Sequence, residues 1–163
     1  MGMPEQAWLD DLYRQYRRAL FLTAWNILRC PSLAEDAVHS AFASLAKLRK
    51  PPREPKLYAF RTVRNAAIDF ARIRARRREE PILADMERMS FELLTTDDEP
   101  LAAVSAALGN LDPVAREVVE LHLHAGLTFQ EIAALLEEPL PTVASRYRRT
   151  IERLRQMLEI CHE

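Results

Sequence analysis

Glycine is scarce in this sequence, with three in 163 residues. Phosphate-cradling loops and tight hairpins both consume glycine, so a Rossmann or P-loop nucleotide site and a multi-hairpin β fold are excluded. Cysteine is scarcer still. Cys30 and Cys161 lie far apart and cannot staple a small core, which reads as reduced thiols. No apolar run approaches the roughly 18 residues of a bilayer span, and the N-terminal stretch lacks the basic-then-apolar order of a secretory signal. A cytoplasmic chain with no direct membrane insertion is expected. Catalytic groupings are missing too: no nucleophile, base and orienting group stand together, His122 and His124 diverge by about 200° on a helix, and Cys161-His162 is a terminal pair. No enzyme activity, metal or cofactor is expected.

What is present is charge, unevenly placed. The net charge of −1 hides a segment at 47–78 with twelve basic and two acidic residues, followed by one at 79–120 with two basic and eleven acidic. The first is the electrostatic footprint of a phosphate-backbone binder; the second repels the same ligand and must be separate from the first or cover it.

The apolar periodicity is helical throughout. Leu9, Leu12, Tyr16, Ala19, Leu20, Thr23 and Ile27 form one stripe that stops near Cys30-Pro31. Ser32 and Glu35 have the spacing of a capping box opening a second helix, with Ala34, Val38, Ala41, Phe42, Leu45 and Leu48 inward. The run RKPPREPK at 49–56 reads as an exposed basic loop, since proline breaks a helix interior. A third helix is predicted over 57–78, with Ala59, Phe60, Val63, Ala66, Ala67 and Phe70 on its apolar side. Arg61, Asn65, Asp69, Arg72 and Arg76 fall within a stripe of about 80° on another. That stripe is either a solvated face, with Asp69 paired to Arg72 or Arg76, or a nucleic-acid face beside the basic loop, with Tyr58 and Phe60 as stacking surfaces. The arginine surplus favours the second.

Residues 79–100 are acidic, bounded near each end by proline and without sustained period, and they read as a linker between two domains, 1–78 and 101–163. A helix is expected over 101–109. Asp112-Pro113 then supplies an N-cap and first helical residue, Val114, Val118 and Leu121 face inward, and Gly126 suits the left-handed end. Thr128 and Glu131 make another capping box, with Ile132, Leu135 and Leu136 inward. After a turn at 137–141, a last helix sets Val143, Tyr147, Ile151, Leu154 and Leu158 toward the core. The pair has the form of a helix-turn-helix. Ser145, Arg146, Arg148, Arg149 and Arg153 lie on the outer side of its second helix, where they suit phosphates and base edges of a major groove.

With these residues in hand, the chain resembles the extracytoplasmic-function sigma factors of the sigma-70 family. AEDAVHSAFASLAKL at 34–48, LYAFRTVRNAAIDFARIRARR at 57–77, LDPVAREVVELHLHAGLTFQEIAALL at 111–136 and TVASRYRRTIERLRQML at 142–158 carry the likeness. It implies an all-α fold of two small domains, a region 2 bundle of three or four helices at 1–78 and a region 4 helix-turn-helix at 101–163. The implied partners are core RNA polymerase, promoter DNA and an anti-sigma factor. Glu35, Asp36, His39 and Phe42 are the implied polymerase contacts. Arg49, Lys50, Arg53, Tyr58, Arg61, Asn65, Arg72 and Arg76 are implied at the minus-ten element, with Asn65, Asp69 and Arg72 on an Asn-x-x-x-Asp-x-x-Arg pattern. Thr142, Ser145, Arg146, Arg148 and Arg149 are implied at the minus-thirty-five element. His39-Ser40 stands where the family has Gln followed by an acid, Tyr58 where it commonly has Trp, Glu137-Glu138 where its turn has Gly and an apolar residue, and Ala144 where a lysine is frequent. A helix-turn-helix regulator acting without polymerase and a degenerate sigma-like interaction protein are the alternatives.

Overall fold

The computed structural model describes residues 6–77 and 106–160. Helix α1 (Ala7–Leu28) begins amphipathic, but Leu20, Leu22, Thr23, Ala24, Trp25, Asn26 and Leu28 are all buried, so its second half is enclosed on every side. It ends at Arg29, which takes the left-handed conformation at φ 49° while its amide donates to Trp25 O at 2.8 Å.

Helix α2 (Pro31–Leu45) corrects the first capping assignment. Proline at the first helical position has no amide to cap and a φ already set for helix, so the helix starts at Pro31 with Cys30 as N-cap. Ser32 is thereby inside the first turn, its Oγ 3.4 Å from Cys30 Sγ, and no side-chain cap forms. The same proline rule starts α3 (Pro55–Arg76) two residues ahead of expectation. Helices α1, α2 and α3 pack mutually around Leu20, Leu28, Leu45, Phe60 and Val63.

Residues 106–109 are helical and lead to α4 (Pro113–Leu123). Asp112 caps it as expected, accepting from Ala115 N at 3.0 Å. Its far end closes at Gly126, φ 65°, with Leu127 N donating to Leu121 O at 3.0 Å, a left-handed end that a side chain would strain. Val114, expected inward, is 43% exposed, whereas Val118 and Leu121 are buried. Helix α5 (Phe129–Leu136) opens on the Thr128–Glu131 capping box, with bonds of 3.1 and 2.7 Å in the two directions. Glu137 ends α5 at φ 56°, and α6 (Leu140–Ile160) follows.

The two halves do not stand apart. Helix α4 packs on α1 and α5 on α3, and Val118, Leu121, Leu127, Ile132 and Val143 share one apolar cluster with the first three helices. A smaller cluster of Ala107, Leu108, Leu111, Val119 and Leu154 lies under α6. The linker assignment at 79–100, the start of the expected helix at 101, Arg78, Cys161 and His162 fall outside the described residues.

Candidate nucleic-acid and partner surfaces

Helix α3 presents the polar stripe that the spacing requires. Arg61, Asn65, Asp69, Arg72 and Arg76 are all exposed, as are Arg49, Lys50 and Arg53 in the preceding loop. Asp69 and Arg72 approach to 3.8 Å, yet both side chains keep about two thirds of their surface in water (67% and 69%). So the face is solvated and basic at once, and an exposed pair of this kind contributes at most about 1 kcal/mol. Tyr58, 40% exposed, is open for stacking. Phe60 is not: it is fully buried, edge-on to Tyr16 with ring centroids 6.1 Å apart, because the helical period that exposes Tyr58 turns Phe60 into the core. Lys56 leaves the basic loop as well. Its Nζ donates to Gly126 O at 3.1 Å and lies 5.5 Å from the Tyr16 ring centre.

The second basic face is on α6. Thr142, Arg148, Arg149 and Arg153 are exposed and Ser145 is half-buried. Arg146 departs from expectation: it is half-buried and bonded to the Glu138 carboxylate, so the acid in the turn holds an arginine assigned to DNA. Behind the helix, His122, Phe129 and Tyr147 form an aromatic cluster with centroids 4.5 to 5.0 Å apart, which fixes α6 against α4 and α5.

On α2, Glu35, Asp36 and His39 are exposed in one patch, with Phe42 half-buried and edge-on to Tyr13 at 5.1 Å. Glu35 and Asp36 lie beyond the first turn. The helix dipole acts mainly within that turn, so neither acid is explained as a dipole partner.

A polar cluster between the halves went unread in the sequence. Asn26 of α1, 7% exposed, donates through Nδ2 to the Glu120 carboxyl of α4, itself 8% exposed. Arg64 of α3 donates to Glu117 of α4 at 3.0 Å. Burial pushes the Glu120 carboxyl up to about 7, against the opposing Asn26 bond and the Arg116 and Arg29 charges, and burial raises Glu117 despite Arg64. Burial also lowers Arg29 and Arg116. Arg116 donates to three carbonyls, Leu108 O at 2.9 Å, Gly109 O at 2.7 Å and Leu111 O at 3.4 Å, and so binds 106–111 to α4. Two sequence signals pointed here. The run ALFLTAWNIL at 19–28 is apolar nearly all round, and a helix apolar on every side needs cover on every side. In the same way Glu117 and Glu120 interrupt an otherwise inward face of α4.

Among the described residues no helix is long and apolar enough to cross a membrane, and no group of three or more His, Cys, Asp or Glu residues could hold a metal ion.

Both halves of the chain match known families. The Sigma-70 region 2 family model matches residues 12–79 and the Sigma-70, region 4 model matches residues 107–156. The chain is 30% identical over 156 residues to the ECF RNA polymerase sigma factor SigE of Mycolicibacterium smegmatis, covering 91% of this chain and 61% of that relative's length. Its fold matches that of the sigma factor RpoE from Bartonella quintana, solved in complex with the anti-sigma factor NepR. That match has a TM-score of 0.64 at 21% identity, over 95% of this chain and 98% of the other. With both region models in order and basic faces on α3 and α6, the chain belongs to the sigma-70 family, within its extracytoplasmic-function group.

Proposed function

We propose that this protein directs core RNA polymerase to specific promoters and carries no catalytic chemistry of its own. The observation that carries this reading is the pair of exposed basic faces on separate helices, α3 and α6, on a chain whose family recognises promoters in two parts. One basic face suffices for an ordinary duplex binder. Two, with an exposed acidic patch on α2, fit a subunit that touches DNA twice and a protein partner once.

The roles follow from chemistry. Extruding a base from a duplex costs a few kcal/mol, recovered through stacking and hydrogen bonds. Asn65, with donors and an acceptor, and the exposed ring of Tyr58 are the recapturing groups, while Arg49, Lys50, Arg53, Arg61, Arg72 and Arg76 neutralise the backbone. Thr142, Ser145, Arg148 and Arg149 read and position the second element from α6. Glu35, Asp36, His39 and Phe42 form the polymerase contact, and an anti-sigma factor is the partner that withholds the protein. The working compartment is the cytoplasm. The domains are 1–78 and 101–163, joined by an acidic linker at 79–100.

Run-off transcription with core polymerase and genomic promoter fragments tests the reading. Discrete transcripts that require this protein support it. Specific binding to duplex DNA without polymerase, and no transcript with it, would place the protein among helix-turn-helix regulators instead.

A further inference from the structure

The polar cluster between the halves is absorbed by none of the surfaces above. A contact that only held the halves together would be served as well by apolar side chains, since a buried charge gains back its lost hydration only with excellent partners. Among the described residues Glu120 has no hydrogen-bonded cation, although the Arg116 and Arg29 charges act on it. The Arg116 donors are directed to Leu108, Gly109 and Leu111 carbonyls, and the Arg29 guanidinium lies over the Trp25 ring at 4.5 Å. Beside it Asn26 Oδ1 is buried with no hydrogen-bond partner among the described residues, although its Nδ2 donates to the Glu120 carboxyl. The pair is short of one donor. A neutral carboxylic acid supplies it: one oxygen accepts from Nδ2, and the O–H is available to Oδ1.

We propose that the Asn26–Glu120 contact is a proton-gated clasp: a neutral Glu120 carboxyl holds the α4–α6 half against α1 and α3, and its ionisation releases the two halves. The consequence for promoter binding rests on the function proposed above. A clasped chain keeps its α3 and α6 faces on one small body, whereas two separate elements require them apart.

The sign follows from where the proton is held more tightly. The Glu120 carboxyl titrates near 7 when clasped and near its ordinary 4.5 when released into water, so the clasped state binds more protons between those values. Closure strengthens as pH falls through 7 and weakens as pH rises through it. Charged groups reach this cluster from every element packed against it. From α1 come Arg29 and Arg18, from α3 Arg64, and from α4 Arg116, Glu117 and His124; Arg146 and Glu138 act through Glu117. Glu117, raised by burial, adds to the effect of Glu120. His124, lowered by desolvation and by Arg18, opposes it, because a clasped state that weakens a histidine's proton affinity is disfavoured by acid. The guanidinium groups stay protonated across this range.

Energy transfer between dyes on the full chain reads the equilibrium, with Ala43→Cys on α2 and Gln156→Cys on α6 in a Cys30→Ser, Cys161→Ser background. The ratio of closed to open chain should rise about tenfold from pH 8 to pH 6, taken relative to Glu120→Gln so that the contributions of His124 and Glu117 cancel. Glu120→Gln is neutral at every pH, offers Asn26 both a donor and an acceptor, and should stay closed at pH 8. Asn26→Leu, which removes the partner without altering Glu120, should lower the closed fraction throughout. If Glu120→Gln opens between pH 6 and 8 as the parent does, or if Glu117→Gln abolishes the response and Glu120→Gln does not, the clasp is overturned. No polymerase or DNA enters this titration. A flat curve therefore counts against the clasp alone, and absent run-off transcripts count against the promoter reading alone.

Discussion

Glu138→Gln separates two routes by which the turn before α6 acts on DNA binding. Read from charge alone, an acid at the start of a recognition helix repels phosphates, and its removal should help DNA binding directly. The structure adds a second route, because Glu138 holds Arg146. The two side chains keep 30% and 23% of their surface in water, intermediate between an exposed pair worth at most about 1 kcal/mol and a buried one whose rupture costs about 3 to 5 kcal/mol. A loss of roughly 1 to 2 kcal/mol of stability is expected, or a fall in melting temperature of about 2 to 8 °C at this chain length. Against this, a released Arg146 can add one phosphate contact, steepening the logarithmic salt dependence of binding by about 0.9. At low salt the binding gain dominates, because the lost stability still leaves nearly every molecule folded. Anisotropy of labelled promoter duplex at several salt concentrations should show tighter binding and a steeper slope for Glu138→Gln. The Glu138→Gln, Arg146→Gln double variant should lose the steepening. If Arg146→Gln alone in the parent already lowers the slope by about 0.9, Arg146 reaches DNA with Glu138 in place and the reasoning fails.

Three further outcomes are expected. Asn65→Ala should impair promoter opening more than closed-complex binding; equal permanganate reactivity of thymines in variant and parent complexes would move the pocket elsewhere. Asp36→Lys should weaken polymerase affinity while leaving the melting temperature within about 2 °C, because Asp36 lies beyond the first turn of α2 where dipole effects fade. Arg116→Met should cost about 3 to 5 kcal/mol by stranding the carbonyls of Leu108, Gly109 and Leu111, with Arg116→Lys falling between it and the parent; a melting curve for Arg116→Met that overlays the parent's would refute the bracing role.

Local chemistry was legible wherever one residue decides one bond. Asp112 and the Thr128–Glu131 box stand where their spacing put them, and the arginine stripe of α3 is on one face. The Ser32–Glu35 pattern misled because Pro31 had already set the helix start, a stronger local constraint than a hydroxyl one residue later. Phe60 shows the limit of reading aromatics near a basic loop as stacking surfaces, since period decides which of two neighbours is exposed. Among candidate site residues, only Arg146 is withdrawn by an ion pair, and that needed the turn's geometry. Asn26, Glu117 and Glu120 were missed for a different reason. A polar residue on a helix is ordinarily a solvated one, and only docking between halves distant in sequence reverses that.

Lys56 gives the last turn of α4 an unusual dependence. Its ammonium group, carried by α3, bonds the Gly126 carbonyl just past the end of α4, where a positive charge complements the exposed carbonyls of a helix terminus. The helix that leads into the helix-turn-helix is thus finished by a residue seventy positions earlier in the chain. When the halves part, that terminus loses its cation and frays more readily. Amide hydrogens of Ala125 and Leu127, which close the turn onto Glu120 and Leu121, then exchange faster with solvent. Both residues are buried, so their exchange rates form an internal clock for separation of the halves, readable in the unlabelled protein.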